Sequence, residues 1–201
     1  EFPEDGYHGA DPPVLIKKLV AEIGDKYMKV EEPLRKEYLA EYALEVKLTD
    51  IRTSLANFGV EYDCWFSERT LHDSGAIKEV LNTLDERGWL LEKDDAVWLD
   101  CERFGEEKPE VLVRANGIPT YFAADIAYHQ NKYQRGFDTV IDIWGADHHG
   151  HVARMKGAME ALGYDRDRLE VILMQFVRLY QGGELLKMSK RTGTYVTLNE
   201  L

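Results

Sequence analysis

The chain has 201 residues, with 25 Lys and Arg against 37 Asp and Glu for a net charge of −12. That length suffices for one large or two small domains, and no apolar run approaches the roughly 20 residues of a membrane helix. No secretory signal pattern is seen, and two isolated cysteines, Cys64 and Cys101, indicate neither a disulfide framework nor a zinc knuckle but a reducing, cytoplasmic setting.

In chain order, Asp11-Pro12-Pro13 marks a helix start and Gly24 its stop, with Leu15, Leu19, Val20 and Ile23 as the buried stripe. A longer helix starts near Glu32-Pro33. Leu34, Tyr38, Tyr42, Val46, Ile51, Leu55 and Phe58 recur at helical spacing, and Gly59 caps it. Tyr62 to Phe66 is short, aromatic and strand-like. A third helix runs from about Ser74 to Arg87 and closes at Gly88. Residues 89–91 and 96–99 flank the acidic turn 92–95 as a hairpin. Gly105 to Glu110 is charged and without periodicity, which places a domain boundary there.

Beyond it strand and helix alternate: strand 111–114, a tight Asn116-Gly117 turn, helix 120–134, strand 139–144, helix 148–162, and a strand within 169–179. That order predicts an α/β fold with a parallel sheet and crossover helices, preceded by a mixed, mostly helical domain. Charge follows the same division. Residues 1–110 carry 14 Lys/Arg and 27 Asp/Glu, net −13, and residues 111–201 carry 11 and 10, net +1. The acidic first half argues against broad nucleic-acid binding there. The chain opens without Met, and Thr197 with Glu200 forms a capping box for a helix that does not continue, so both ends read as internal to a longer polypeptide.

Three groups of residues can carry chemistry. Gly145-Ala146-Asp147-His148-His149-Gly150-His151 sits where a strand gives way to a helix, the ligand-binding end of open α/β sheets. Gly145 allows close backbone approach, Asp147 can cap the helix or accept from hydroxyls or an amine, and His148 and His151 lie one turn apart. Tyr121 and Asp125, i and i+4 on one helix face, form a phenol–carboxylate receptor suited to a planar guanidinium. By themselves they read more simply as a core aromatic and a solvated charge. Lys187-Met188-Ser189-Lys190-Arg191 packs three cations after the Gly182-Gly183 turn. Lysines act as movable point charges toward phosphate, and phosphate displacement is mostly positioning and charge stabilisation. An isolated Lys-rich pentapeptide is also commonly plain solvated surface.

Together these elements resemble a known family. Lys187-Met188-Ser189-Lys190 matches the second signature of class I aminoacyl-tRNA synthetases, and it follows Gly145 to His148 and Met174-Gln175-Phe176-Val177 in the family's order. More narrowly the chain resembles arginyl-tRNA synthetase. The likeness runs through Glu4 to Tyr7, Trp65-Phe66-Ser67-Glu68, Val111 to Arg114, Pro119-Thr120-Tyr121-Phe122, Asp125 to His129 and Gly145 to His151.

The resemblance implies ATP-dependent activation of L-arginine to an adenylate, with Mg2+ on the ATP phosphates, and transfer to arginine tRNA. It assigns Tyr121 and Asp125 to the guanidinium, and His148 with Asp147 to the arginine amino group. Gly145, His151, Phe176 and Val177 fall to ATP's adenosine. Lys187 and Lys190 would act catalytically on the phosphates within an ATP-binding loop that includes Met188 and Ser189. Residues 1–110 become an insertion domain and 111–201 the second half of the Rossmann-type fold. The family's first signature, His-x-Gly-His, has no counterpart in the first half. The first Rossmann half and the anticodon-binding domain are therefore expected to be missing, and the 201 residues alone to be inactive. The rival reading takes Asp147-His148-His149 as the triplet of a DHH-type metal-dependent phosphoesterase. Residues 111–146 offer it only Asp125, His129, Asp138 and Asp142, in no ligand-like pattern.

Overall fold

The computed structural model describes residues 11–186, 188 and 196–201. They fall into two compact units, one drawn from 1–65 with 178–201 and the other spanning 66–177.

In the first unit, α1 (Asp11–Ile23) ends at Gly24 and α2 spans Glu32–Asn57. Pro33 opens α2, whose first-turn Glu32 pairs with Lys36 at 2.7 Å. At its far end Gly59 takes φ +80°, which lets the Val60 amide donate to the Leu55 carbonyl at 2.8 Å and close the helix. The expected stripes are only partly covered. Leu19 is buried, but Val20 is exposed and no residue of α2 is buried. The strand expected over Tyr62–Phe66 does not form. Tyr62 packs edge-on against Trp65 at 5.5 Å, and Arg52 lies over the Trp65 ring, so the aromatics find side-chain partners where no neighbouring strand offers backbone ones.

The second unit begins with α3 (Arg69–Asp73) and α4 (Ala76–Glu86). The helix expected over about Ser74 to Arg87 is α4; α3 was not expected, and Gly75, with a φ of +78°, separates the two. Strands β1 (Leu90–Lys93) and β2 (Ala96–Leu99) pair antiparallel around Asp94-Asp95, both with positive φ. That backbone matches the twist a two-residue hairpin needs, and Asp tolerates it better than most residues.

Strand β3 (Glu110–Val113) pairs antiparallel with β2. It is therefore not the first member of the parallel sheet. Only a short connection separates the two, and a parallel return needs a crossover of a dozen residues or more. Thr120 then starts α5 (Tyr121–Gln134). Its hydroxyl donates to the Val111 carbonyl at 2.7 Å and accepts the Ala123 amide, tying the helix start to β3.

The expected parallel pairing is found between β4 (Val140–Gly145) and β5 (Leu169–Met174), with α6 (His149–Ala161) as the crossover. Val140 and Asp142 of β4 are buried, whereas Ile141 and Ile143 are 55% and 70% exposed, so one sheet face is bare. The core of this unit gathers Leu84, Leu99, Leu112, Phe122, Ile126 and Met159. Each contributes about 1.5–3 kcal/mol by leaving water.

Back in the first unit, β6 (Tyr180–Gln181) and β7 (Glu184–Leu185) form a small hairpin. The Thr197–Glu200 capping box is present on a short 3-10 turn, Leu198–Glu200. Among the described residues no helix is long and apolar enough to cross a membrane.

Candidate active site

Three elements of the second unit meet at the carboxyl end of β4. Helix α5 presents Tyr121 and Asp125. Strand β4 ends in Trp144 and Gly145, followed by the turn Ala146–His148, and α6 brings His151 in its first turn. They enclose a cavity of about 440 Å³ lined by Tyr121, Asp125, Ile143, Trp144, Gly145, His148 and His151. A second cavity of about 380 Å³ shares Tyr121 and Asp125 and adds Phe66, Glu68, Leu71, Ala124 and Tyr128. Phe66 and Tyr128 stack at 4.5 Å between ring centroids, giving that cavity a flat aromatic wall beside two carboxylates.

The i, i+4 spacing of Tyr121 and Asp125 works as expected: both side chains border both cavities. Tyr121 is 69% exposed, so its phenol is open to a ligand and not spent on the core. The Asp125 carboxylate is about one-third exposed and lies between two imidazoles. His151 Nε2 is 3.4 Å from one oxygen and His129 Nδ1 is 3.6 Å from the other. His151 itself is wedged among aromatic rings, with centroids at 4.9 Å to Phe122 and 5.6 Å to Trp144.

Gly145 passes so close to the following turn that a Cβ there would meet Asp147 Oδ1 at 2.6 Å. Asp147 in turn lies 3.7 Å from His148 Nε2, and both are more than half exposed. His149 points away from this group, with Nδ1 on the Ala146 carbonyl at 3.3 Å.

Phe176 and Val177 follow β5 and are 67% and 80% exposed; neither borders the Tyr121–Asp125 cavities. Met188 is also exposed. Lys187, Ser189, Lys190 and Arg191 lie outside the described residues, as do Glu4 to Tyr7. Among the described residues no three His, Cys, Asp or Glu side chains gather as a metal-binding group. Asp147 pairs with His148 while His149 turns to the Ala146 carbonyl, so the triplet does not form the metal group that the phosphoesterase reading needs.

A buried polar group behind the cavity was not anticipated. His129, 1% exposed, sets Nε2 against Asp142 Oδ2 at 2.5 Å, and Lys132 donates to Asp142 Oδ1 at 2.6 Å. Burial alone would raise the Asp142 carboxyl, but the hydrogen bonds and charges of His129 and Lys132 outweigh it and hold it below its ordinary value. Glu68 was legible only as part of a matching stretch, and its place in the Asp125 cavity comes from the α3–α5 packing.

Comparison with known proteins identifies the family. A family model described as tRNA synthetases class I (R), catalytic domain, matches residues 35–201. An arginine–tRNA ligase of Desulfitobacterium hafniense (strain DSM 10664 / DCB-2) is 61% identical over 200 residues, covering 100% of this chain and 36% of the relative. One from Moorella thermoacetica is 62% identical over the same shares. A Campylobacter jejuni crystal structure, assigned as an arginyl-tRNA synthetase, superposes with a TM-score of 0.83 at 39% identity and covers 94% of this chain and 41% of that one. The chain thus spans about 36% of the length of the curated relatives it matches.

Proposed function

The chain belongs to the arginyl family of class I tRNA synthetases, and from that premise we propose that it is part of an arginine–tRNA ligase whose Tyr121–Asp125 cavity takes the arginine side chain. The observation that carries this reading is Asp125: a cavity-lining carboxylate, with the Tyr121 phenol one turn before it and Glu68 in the adjoining wall. A guanidinium offers five donors in a rigid plane, and two carboxylates with a phenol and flat aromatic faces are complementary to it.

In the first step the arginine carboxylate oxygen bonds to the α-phosphorus of ATP. The bond from that phosphorus to the bridging oxygen of the β-phosphate breaks, and pyrophosphate leaves. In the second step a ribose hydroxyl of the tRNA 3′ end attacks the arginyl carbonyl, gives up its proton, and AMP leaves. Asp147 and His148 are placed to receive the arginine amino group at the strand end. Gly145, with no side chain in the way, offers backbone to the nucleotide, alongside Phe176 and Val177. His151 borders both functions, since it pairs with Asp125 while lining the Gly145 cavity. Lys187 and Lys190 stabilise the departing pyrophosphate, and Met188 and Ser189 shape their loop. Mg2+ arrives with the ATP phosphates; the described side chains do not gather a metal site of their own.

The same reading makes residues 1–110 an insertion domain and 111–201 the second half of the nucleotide fold, working in the cytoplasm. Parallel sheets are ordinarily covered on both faces. The bare face of β4 and β5, with Ile141, Ile143, Ile172 and Met174 exposed, suits packing by the first half of that fold in the full-length enzyme.

The test is Asp125→Ala in the full-length enzyme, read by ATP–pyrophosphate exchange with tRNA present. Losing a charged pair to the guanidinium is expected to raise KM for arginine by roughly 30-fold or more, corresponding to about 2–5 kcal/mol, with KM for ATP little changed. Equal losses for both substrates would refute the guanidinium role. The 201 residues alone, whose His-x-Gly-His match at His148 to His151 lies after β4 and not in the first half, are expected to be silent in the same assay.

A further inference from the structure

We propose that His129, Asp142 and Lys132 form a buried positioning unit that sets Asp125 for the substrate guanidinium; this rests on the assignment of Asp125 above. The three residues line neither Tyr121–Asp125 cavity, yet they place charge in the core, where an unpaired ion is costly and even a paired one adds little stability. Such a group earns its place by fixing geometry, because directional bonds specify how two elements meet and apolar packing alone does not.

The geometry links the right elements. His129 lies one turn after Asp125 on α5. Its Nδ1 donates to the Asp125 carbonyl at 2.8 Å and stands 3.6 Å from the Asp125 carboxylate. Its Nε2 faces Asp142 on β4, three residues before Gly145. Both ring nitrogens therefore face oxygen atoms, one on each element. Lys132, a further turn along α5, holds the other Asp142 oxygen.

Charged or titratable groups reach His129 from α5 (Asp125, Lys132) and β4 (Asp142), while His151 of α6 reaches the same Asp125 carboxylate. The rings of Tyr128 and Trp144 close the surroundings. The unit thus ties the helix carrying the guanidinium acceptor to the strand whose end forms the opposite cavity wall. A slip of α5 along β4 would carry Asp125 out of place, and small misplacements of binding groups are expensive.

The experiment uses the full-length enzyme in ATP–pyrophosphate exchange with tRNA, and compares D142N, K132M, K132R, D125N and the D125N/D142N double variant, with circular dichroism as the folding control. D142N and K132M are expected to raise KM for arginine by about tenfold while KM for ATP stays within about twofold. K132R, which keeps a cation on Asp142, is expected to restore most of the K132M loss. The double variant should be no worse for arginine than D125N alone, because Asp142 acts through Asp125.

A folded D142N with unchanged KM for arginine, equal rises for both substrates, or additive losses in the double variant would overturn the proposal. If D142N does not fold, K132M decides on the same readouts. A D125N variant with no selective arginine defect overturns the guanidinium assignment and this inference with it, whereas a selective D125N beside a silent D142N sinks only the inference.

Discussion

Gly157 in α6 gives a sharp test of the packing that holds the site together. A Cβ at this buried position would lie 2.3–2.5 Å from three atoms of the Phe104 ring. Ordinary carbon contacts are about 3.5–4.0 Å, so the ring must retreat by roughly 1 Å. It has little freedom to do so, because it packs on Trp89 at 5.5 Å, and Trp89 is capped on another side by Arg103 at 3.7 Å. Gly157→Ala gains about 1 kcal/mol of helix propensity and loses up to about 3 kcal/mol by overpacking. The net is about 1–2 kcal/mol of destabilisation, or roughly 3–8 °C in Tm.

Gly150→Ala in the same helix is the control, since its Cβ would meet only Arg154 Nη2 at 3.8 Å. It is expected to be neutral or stabilising by up to about 1 kcal/mol. Thermal unfolding of both variants decides. A Gly157→Ala protein as stable as the parent, or shifted like Gly150→Ala, would show that Phe104 does not pin α6 and that the argument is wrong.

Two further outcomes follow from buried groups. The folded Asp142 carboxyl is held below its ordinary 3.8, so as pH falls below about 4 the unfolded chain takes up a proton first and stability drops. The slope attributable to this group is at most about 1.4 kcal/mol per pH unit. Urea unfolding between pH 5 and 2.5 should show a shallower acid limb in D142N, and identical limbs would contradict the assignment. Cys101 is buried, which pushes its thiol up to about 12, whereas Cys64 is exposed. Native titration with a thiol reagent at pH 8 should modify Cys64 fast and Cys101 only on unfolding; rapid reaction at both would contradict the packing around Cys101.

What was legible in the sequence was local or periodic. Tyr121 and Asp125 share a face because helical spacing dictates it, and Gly145 to His151 falls at a strand end because alternation of strand and helix places it there. Non-local pairing was not legible. Asp142 and His129 meet across a strand and a helix, and neither shows in its own neighbourhood that the other will satisfy it. Strand β3 has the composition of any short apolar strand, and only the length of its connection to β2 sets its direction. Tyr62 to Phe66 has strand-like residues, yet a strand also needs a partner edge. Helix α3 was hidden because its five residues are too few to show helical periodicity.

The parallel pairing of β4 with β5 also bears on how the chain must close. Val140 meets Leu169, 29 positions later in the chain, so the pairing closes a segment that holds all of α6, and longer closures cost more chain entropy. Gly145, Asp147, His148 and His151 all lie inside that closing segment, whereas Tyr121 and Asp125 sit on a helix anchored next to its own preceding strand. The acceptor for the substrate's side chain therefore rests on local contacts, while the groups proposed to meet its reacting end lie inside a segment that must be closed.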